Sequence, residues 1–289
     1  MSDLENVVVC QDNIQFMSSL SPKSIDLIYI DPPFFTQKDF GDFDDRWKSL
    51  DHFLTFLVLR LCQCHRLLKD TGIFCLHLDW RTIHYAKTKC DQIFGYNNFV
   101  NEIIWEFSAA GQRASRNYKK SHSTILIYSK TKNYHAAPER GPLADATLRR
   151  YGKSIDGNGN VTVGSLMKND PKLYRNHLRQ GRVRDFDAHD KVIFSTTKGT
   201  ILKDCWSDLK NPPYRGSGAK NKKYETQKPL GLLERIVKSF SPENGVVGDF
   251  FCGSGTTLVA AKKLGRAYIG CDISSKAVEI SRERIECLK

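Results

Sequence analysis

The stretch Asp26-Leu27-Ile28-Tyr29-Ile30-Asp31-Pro32-Pro33-Phe34 decides the fold. Its apolar run over residues 26–30 has the length and composition of a buried strand in a parallel sheet. A carboxylate, two prolines and an aromatic ring then stand at the carboxyl end of that strand, where open α/β sheets place their ligand sites. The prolines lack N–H donors and stiffen the turn, so the Pro32 carbonyl can point into a pocket beside the Asp31 carboxylate. Two acceptors above an aromatic face suit a planar group with an exocyclic amino group, such as a nucleobase; a rigid turn capped by Asp31 is the simpler alternative.

A second strand end lies near the other end of the chain. Residues 245–251 predict a strand, Cys252-Gly253-Ser254-Gly255-Thr256-Thr257 a glycine turn, and residues 258–264 a helix. Glycine lets the backbone approach a ligand, and a helix N-terminus favours a negative group. The next predicted strand ends at Asp272, a place where dinucleotide folds bind ribose hydroxyls. Neither a Walker lysine nor a G-x-G-x-x-G spacing is present, which disfavours a nucleotide-dependent enzyme and a nicotinamide cofactor; helix capping alone is the simpler alternative.

Taken together, the two motifs resemble those of amino-methyltransferases that use S-adenosylmethionine. The order of Asp-Pro-Pro-Phe first and Phe-Cys-Gly-Ser-Gly-Thr last is similar to the β-class, circularly permuted DNA methyltransferases. Two places depart from the family pattern, since Gln11-Asp12 stands where Gly-Asp is frequent and Asp249-Phe250-Phe251 where Asp-Pro-Phe is frequent. Further segments that resemble the family are residues 7–12, 72–79, 84–85, 93–95, 101–105, 226–230 and 233–236.

The resemblance implies an α/β, Rossmann-like S-adenosylmethionine-dependent methyltransferase fold with a mostly parallel sheet and an inserted target-recognition region. It implies methyl transfer from S-adenosyl-L-methionine to the N6 amino group of adenine in duplex DNA, with base flipping, S-adenosyl-L-homocysteine as product and no metal. The implied catalytic residues are Asp31, Pro32, Pro33 and Phe34. The implied cofactor-binding residues are Asp12, Asp31, Thr226, Lys228, Pro229, Asp249, Phe251, Cys252, Gly253, Ser254, Gly255, Thr256, Thr257 and Asp272.

Within that set the implied roles differ. Asp31 and the Pro32 carbonyl accept hydrogen bonds from the target amino group, and Phe34 stacks on the flipped base. Asp12 meets the adenine amino group of the cofactor, and Asp272 meets its ribose. A core ring is the alternative for Phe34. The candidates for the methionine carboxylate are Thr226, Lys228 and Thr257, with an ordinary surface lysine as the alternative for Lys228.

The choice of base rests on Asp31. Family members that act on cytosine more often carry Ser at this position, so Asp31 favours adenine. Three other functions stay open: N4-cytosine methylation of DNA, methylation of adenine in RNA, and a catalytically silent DNA-binding protein on a methyltransferase fold. A second stretch, Asn211-Pro212-Pro213-Tyr214, also fits the catalytic pattern, but residues 207–210 before it are too polar for a central strand.

The charge distribution points to nucleic acid. The chain of 289 residues carries a net charge of +12, and residues 106–223 hold 24 Lys and Arg against 10 Asp and Glu. The remainder has 20 basic and 22 acidic residues, so the whole excess lies in one segment. We predict a catalytic part over residues 1–135, a basic target-recognition region over 136–223 and a cofactor-binding part over 224–289. Duplex DNA is the expected partner, with a homodimer and a cognate restriction endonuclease as further expectations.

The remaining composition fits an intracellular enzyme. The chain has 40% apolar residues, no apolar run of about 18 residues and no signal-peptide pattern, so we expect a cytoplasmic protein of prokaryotic or phage type. Its nine cysteines lack zinc-pair spacing and predict reduced thiols. Helical spacing predicts helices over residues 50–68 and 82–94. Strands are predicted over 73–78, 103–107 and 124–128, the last near the sheet edge, with a turn over 156–160 and a short strand over 192–194.

Overall fold

The structure is a computed structural model that describes residues 5–41, 43–108, 116–184, 187–209 and 227–288. It divides into two compact units, one of Met1–Ala137 with Lys203–Lys289 and one of Pro138–Leu202. Thr226 and the second proline motif, residues 211–214, lie outside the described residues. The assignment of residues 136–223 to target recognition stays a prediction.

The helices and strands alternate through the larger unit, as the sequence predicts. The described strands are β1 (Val7–Cys10), β2 (Ile25–Ile30), β3 (Leu68–Leu78), β4 (Phe99–Glu106), β5 (His122–Ser129), β6 (Arg140–Gly141), β7 (Asn160–Thr162), β8 (Val192–Ser195), β9 (Thr200–Ile201), β10 (Cys205–Trp206), β11 (Val246–Asp249) and β12 (Ala267–Asp272). The described α-helices are α1 (Asn13–Ser19), α2 (Leu50–Leu67), α3 (Ile83–Cys90), α4 (Asp145–Tyr151), α5 (Val163–Asn169), α6 (Pro171–Arg179), α7 (Leu230–Phe240), α8 (Thr256–Lys263) and α9 (Ser275–Glu286).

Eight of the described strands form one sheet in the order β1-β12-β11-β2-β3-β5-β4-β10. Strand β5 runs antiparallel to β3 and to β4, and the other pairings are parallel. This confirms the mostly parallel sheet of a Rossmann-like α/β fold. Strands β2 and β11 are neighbours, with Leu27 opposite Val247 and Ile28 opposite Gly248. Their carboxyl ends, which carry the two sequence motifs, therefore lie side by side.

Alternation along the central strands explains the layers. In β2, Ile28 and Ile30 belong to the core on one face, together with side chains from α1 and α2. Leu27 and Tyr29 belong to the core on the other face, with side chains from α7, α8 and α9. Successive side chains of a strand point to opposite faces, so a strand covered on both faces must be apolar throughout. All six residues of β2 are buried, as the continuous apolar run requires.

One strand lies elsewhere in the sheet than predicted. The segment over residues 124–128 was expected near the edge, yet β5 pairs with β3 on one side and β4 on the other. Seven of its eight residues are buried, whereas exposed and buried positions mix along β4. A strand that is apolar on both faces belongs inside the sheet, and the more polar β4 takes the outer place beside the two-residue β10.

The other predicted elements are largely confirmed. Helix α2 and strand β3 cover the predicted segments, while α3 ends at Cys90 and continues as a π turn over Asp91–Gly95. Gly95 has φ 90°, a conformation that favours glycine and ends the helical path. The predicted helix over residues 82–94 is therefore split in two.

The smaller unit, Pro138–Leu202, has its own core. Strands β7 and β8 form an antiparallel ribbon, and β6 and β9 form another. Tyr151, Val161 and Leu166 are buried together. The predicted turn over residues 156–160 is confirmed, because the Asp156 carboxylate accepts from the N–H groups of Asn158 and Asn160. Strand β8 confirms the short strand predicted over 192–194.

Two global features bear on the compositional predictions. All nine cysteines are free thiols. Within the described ranges, no helix combines the length and the apolar character that a membrane crossing requires.

Candidate active site

A cavity of about 390 Å³ opens where β2 and β11 end. It contains both sequence motifs, so two segments from opposite ends of the chain form one site. The predicted residues that line it are Asp12, Asp31, Pro32, Pro33, Phe34, Lys228, Asp249, Phe251, Cys252, Gly253, Ser254, Thr256, Thr257 and Asp272.

Two other predicted residues shape the cavity from behind its wall. Pro229 is the N-cap of α7 and does not line the cavity. Gly255 is the N-cap of α8 with φ 72°, and a Cβ built there would lie 2.0 Å from the Ser281 hydroxyl. Only glycine fits that position, because both the backbone conformation and the space exclude a side chain. Both positions therefore set the course of the backbone before a helix.

Asp31 occupies the catalytic motif as a nearly buried carboxylate, with 18% of its side chain exposed. Its Oδ2 accepts a hydrogen bond from the Lys228 ammonium group. Its Oδ1 is buried and has no hydrogen-bond partner among the described residues. Burial raises the pKa of Asp31 above its usual value, and the charge of Lys228 partly offsets that rise. A buried acceptor atom that faces the cavity is therefore available to a ligand's donor.

Lys228 also contacts the aromatic ring of the motif. Its ammonium nitrogen lies 5.1 Å from the centroid of the Phe34 ring. A cation over an aromatic face is attracted by the ring quadrupole. Sequence reasoning placed Lys228 among the cofactor candidates; the structure places it on the catalytic carboxylate.

A buried polar chain lies beneath Phe34, and sequence reasoning missed it. The Tyr29 hydroxyl is 2.7 Å from His77 Nδ1, and the Ser123 hydroxyl is 2.6 Å from His77 Nε2. The His77 ring centroid lies 5.8 Å from that of Phe34. Burial and the nearby Lys228 charge lower the pKa of His77 well below 6.5, so the imidazole is neutral and one nitrogen donates while the other accepts. A histidine inside the apolar run of β3 was the available signal.

The loop after the catalytic motif is fastened by a second missed residue. The buried carboxylate of Asp45 accepts from the N–H groups of Phe35 and Thr36 at 2.9 and 2.7 Å, and from the Trp47 indole at 2.9 Å. Phe35 and Gln37 have φ of 63° and 60°, which few residues adopt without support. Asp45 thus holds a strained loop that lines the cavity with three aromatic rings, namely Phe40, Phe43 and Trp47.

Asp249, at the end of β11, is a structural carboxylate. Its Oδ1 accepts from the Phe251 N–H at 3.0 Å, and its side chain is hydrogen-bonded to Thr257. Burial raises the pKa of Asp249 to about 7, and the charges of Asp31 and Asp272 add to the rise. This carboxylate ties the strand end to the start of α8.

Two further predicted carboxylates hold the turns around the cavity. Asp272 Oδ2 accepts from the Gly253 N–H, and Oδ1 accepts from the Ser274 N–H, both at 2.9 Å. Asp12 caps α1, accepting from the N–H groups of Ile14 and Gln15. Both carboxylates line the cavity, so they can also accept from a ligand's hydroxyl or amino group.

Arg60 is the second cation of the cavity wall, and it is held in place. Its Nε donates to Asn13 Oδ1 at 2.8 Å, its Nη2 lies 3.6 Å from Asp12 Oδ2, and its guanidinium carbon lies 3.4 Å from the Phe56 ring centroid. Burial lowers the pKa of Arg60 to about 10. The guanidinium therefore acts as a structural cation that braces α1 against α2.

An exposed aromatic and basic patch lies on the same edge of the sheet. Trp80, which is 43% exposed, follows the end of β3. The ammonium nitrogen of Lys120 is 3.5 Å from a Trp80 ring centroid, and the Arg81 guanidinium is 5.0 Å away. Strand β3 runs parallel to β2, so its end lies beside the catalytic motif. Exposed aromatic faces with nearby cations suit bases and phosphates.

Comparison with known proteins gives three kinds of finding. A family model described as DNA methylase (N6_N4_Mtase) matches residues 25–283. The DNA adenine methyltransferase YhdJ of Escherichia coli K12 is 25% identical over 96% of this chain and 82% of its own length. The type II methyltransferase M.HpaI of Haemophilus parainfluenzae is 26% identical over 98% of this chain and 75% of its own length. The solved M1.HpyAVI complex with SAM has a TM-score of 0.57 at 19% identity, covering 96% of this chain and 98% of the other, which supports the fold.

Proposed function

The chain belongs to the DNA methylase family, and on that premise we propose that it transfers a methyl group from S-adenosyl-L-methionine to the N6 amino group of adenine in duplex DNA. One observation carries the proposal. The Asp31 carboxylate at the end of β2 presents a buried Oδ1 without a partner among the described residues, beside Phe34 and the rest of the Asp-Pro-Pro-Phe motif. An acceptor in that place meets the hydrogen-bond donors of an amino group.

The cavity residues fit the cofactor. Asp12 and Asp272 offer acceptors for its amino and hydroxyl groups, and the turn through Gly253 lets the backbone approach it. Lys228 offers a cation for its carboxylate. When bound, S-adenosylmethionine supplies an electrophilic methyl group on a sulfonium centre.

The residues of the chain then prepare the amino group. An adenine amino group is a weak nucleophile because its lone pair is delocalised into the ring. Hydrogen bonds from the NH2 to Asp31 and the Pro32 carbonyl favour a pyramidal nitrogen whose lone pair points away from those acceptors. Phe34 holds the base by stacking, and its ring is supported from below by His77. The work of these residues is orientation and electrostatic preorganisation.

The base must leave the duplex to reach this cavity. The exposed Trp80 and its two cations lie on the same edge of the sheet as the catalytic motif, where the remaining duplex would pass. Phosphate contacts would make this binding weaken steeply with salt. Duplex DNA is therefore the proposed partner, and a cytoplasmic location follows from it.

Methylation of purified DNA tests the proposal. The protein is incubated with radiolabelled S-adenosylmethionine and unmodified duplex DNA, and the nucleosides are then separated. We expect label in N6-methyladenine, and we expect none with Asp31→Ala prepared in the same way, which controls for host methylases. Label only in N4-methylcytosine would replace the proposal with the cytosine alternative.

Two further alternatives give other outcomes in the same assay. Label in structured RNA that outcompetes duplex DNA would identify an RNA methyltransferase. A protein that binds the cofactor but leaves every nucleic acid unlabelled would be a silent binder. A homodimer and a cognate restriction endonuclease are further proposed partners, the second because the relative M.HpaI is named a type II methyltransferase.

A further inference from the structure

The cavity combines several carboxylates with few cations. Among the described residues that line it, the carboxylates are Asp12, Asp31, Asp44, Asp45, Asp249 and Asp272, and the cationic side chains are Arg60 and Lys228. Arg60 is bonded to Asn13 and stacked on Phe56, and 9% of its side chain is exposed. A ligand that carries a negative group into this cavity therefore has Lys228 as its available cation.

Lys228 already has a partner. Its ammonium group donates to Asp31 Oδ2 and lies over the Phe34 ring. Those are the atoms that a target base needs, one as acceptor and one as stacking surface. In this arrangement the lysine blocks half of the catalytic carboxylate, leaving Oδ1 as its remaining acceptor.

We propose that Lys228 exchanges between two carboxylates, Asp31 in this structure and the methionine carboxylate of the bound cofactor, so that cofactor binding uncovers Asp31 for the target amino group. This inference rests on the proposed function, whose cofactor brings the second carboxylate. Lys228 is then a positioning residue that couples the two ligands and favours binding of the cofactor before the base.

The exchange is physically balanced, because the ammonium group leaves one nearly buried carboxylate for another. A lone buried charge is costly, so Lys228 would not leave Asp31 without a replacement anion. The Asp31 carboxylate in turn gains hydrogen bonds from the target NH2 in place of those from the ammonium group. Neither group is left unpaired once both ligands are in place.

Calorimetric binding of two small ligands tests the exchange without DNA or turnover. S-adenosylhomocysteine has the carboxylate, and 5′-methylthioadenosine has the same nucleoside and sulfur without it. Lys228→Met is expected to weaken S-adenosylhomocysteine binding about tenfold, as the loss of a charged hydrogen bond predicts, and to leave methylthioadenosine binding within about twofold. Retained methylthioadenosine binding also shows that the variant is folded. Lys263→Met is the matched control, since Lys263 pairs with Glu234 outside the cavity.

Asp31→Asn separates exchange from simple repulsion. If Asp31 competes for the lysine, this variant should bind S-adenosylhomocysteine about three to ten times more tightly than the unmodified protein. The gain should vanish in the Lys228→Met background. An equal gain in both backgrounds would mean charge repulsion and would overturn the exchange.

The remaining outcomes are also decisive. A Lys228→Met variant that loses both ligands equally would overturn the proposal, because the lysine would then not distinguish the carboxylate. If neither ligand binds the unmodified protein, the cofactor assignment and the exchange both fall. If the binding pattern is as expected but no nucleic acid is methylated, the exchange stands and the proposed reaction fails.

Discussion

The ends of β2 and β11 are neighbours in the sheet, and both carry a buried aspartate, yet they differ in every other respect. Asp31 is followed by two prolines and meets an ammonium group, whereas Asp249 is followed by an aromatic and glycine turn and meets an N–H and a hydroxyl. Prolines fix a turn that presents a side chain, while glycines admit a ligand to the backbone. The same place in a sheet therefore supports two jobs, which the neighbouring residues decide.

Removing the side chain at the first strand end gives the largest expected effect. Asp31→Ala deletes the acceptor for the target amino group, and we expect the methylation rate to fall by about a thousandfold or more. Methylthioadenosine binding, which depends on the other strand end, should survive within about twofold. Single-turnover rates and calorimetry measure the two effects. Asp51→Ala, an exposed position in the first turn of α2, is the control; near-normal turnover in Asp31→Ala would remove the distinction between the strand ends.

The glycine turn after β11 can be broken by one methyl group. Gly255→Ala adds a Cβ 2.0 Å from the Ser281 hydroxyl at φ 72°, and we expect about 2–4 kcal/mol lower free energy of unfolding with weaker cofactor binding. Gly265 offers a matched control, because it also has φ 72° but no atom within 4 Å of the added Cβ. Gly265→Ala should cost about 1 kcal/mol, the backbone strain alone. Equal losses in denaturant unfolding would show that strain, and not the close approach to α9, is what the turn requires.

The raised pKa of Asp249 predicts a pH dependence of stability. The folded protein holds this proton up to about pH 7, while the unfolded chain releases it near the ordinary value of 3.8. The free energy of unfolding should therefore fall as pH rises through that window. Asp249→Asn keeps an acceptor for the Phe251 N–H but has no charge, so its stability should vary less, with a gain of about 2 kcal/mol at pH 8. Urea unfolding at pH 5 and pH 8 measures the difference; identical slopes for both proteins would refute it.

The predictability of this molecule follows the same division. The apolar run before Asp31 and the glycines after Phe251 are local signals, so the two strand ends and their meeting in one cavity could be predicted from the sequence. The contact of Lys228 with Asp31 could not, because it joins side chains distant in the chain whose pairing depends on packing. The roles of His77 and Asp45 were missed for a similar reason. Each is a polar residue whose partners appear only once the strands are paired, and β5 was misplaced because burial on both faces depends on its neighbours.

The smallest expected effect concerns the end of β3, on the β2 side of the comparison. Trp80→Ala removes an exposed ring that lies under the Lys120 ammonium group, and we expect duplex DNA binding to weaken about tenfold, the typical value of one aromatic stacking contact. Tyr96 is a matched control, because it is an exposed ring near Lys87 that lies before β4, at the opposite edge of the sheet. Tyr96→Ala should leave DNA binding unchanged. Fluorescence anisotropy at fixed salt compares the two variants; equal affinities would place the duplex elsewhere and separate the DNA surface from the catalytic strand end.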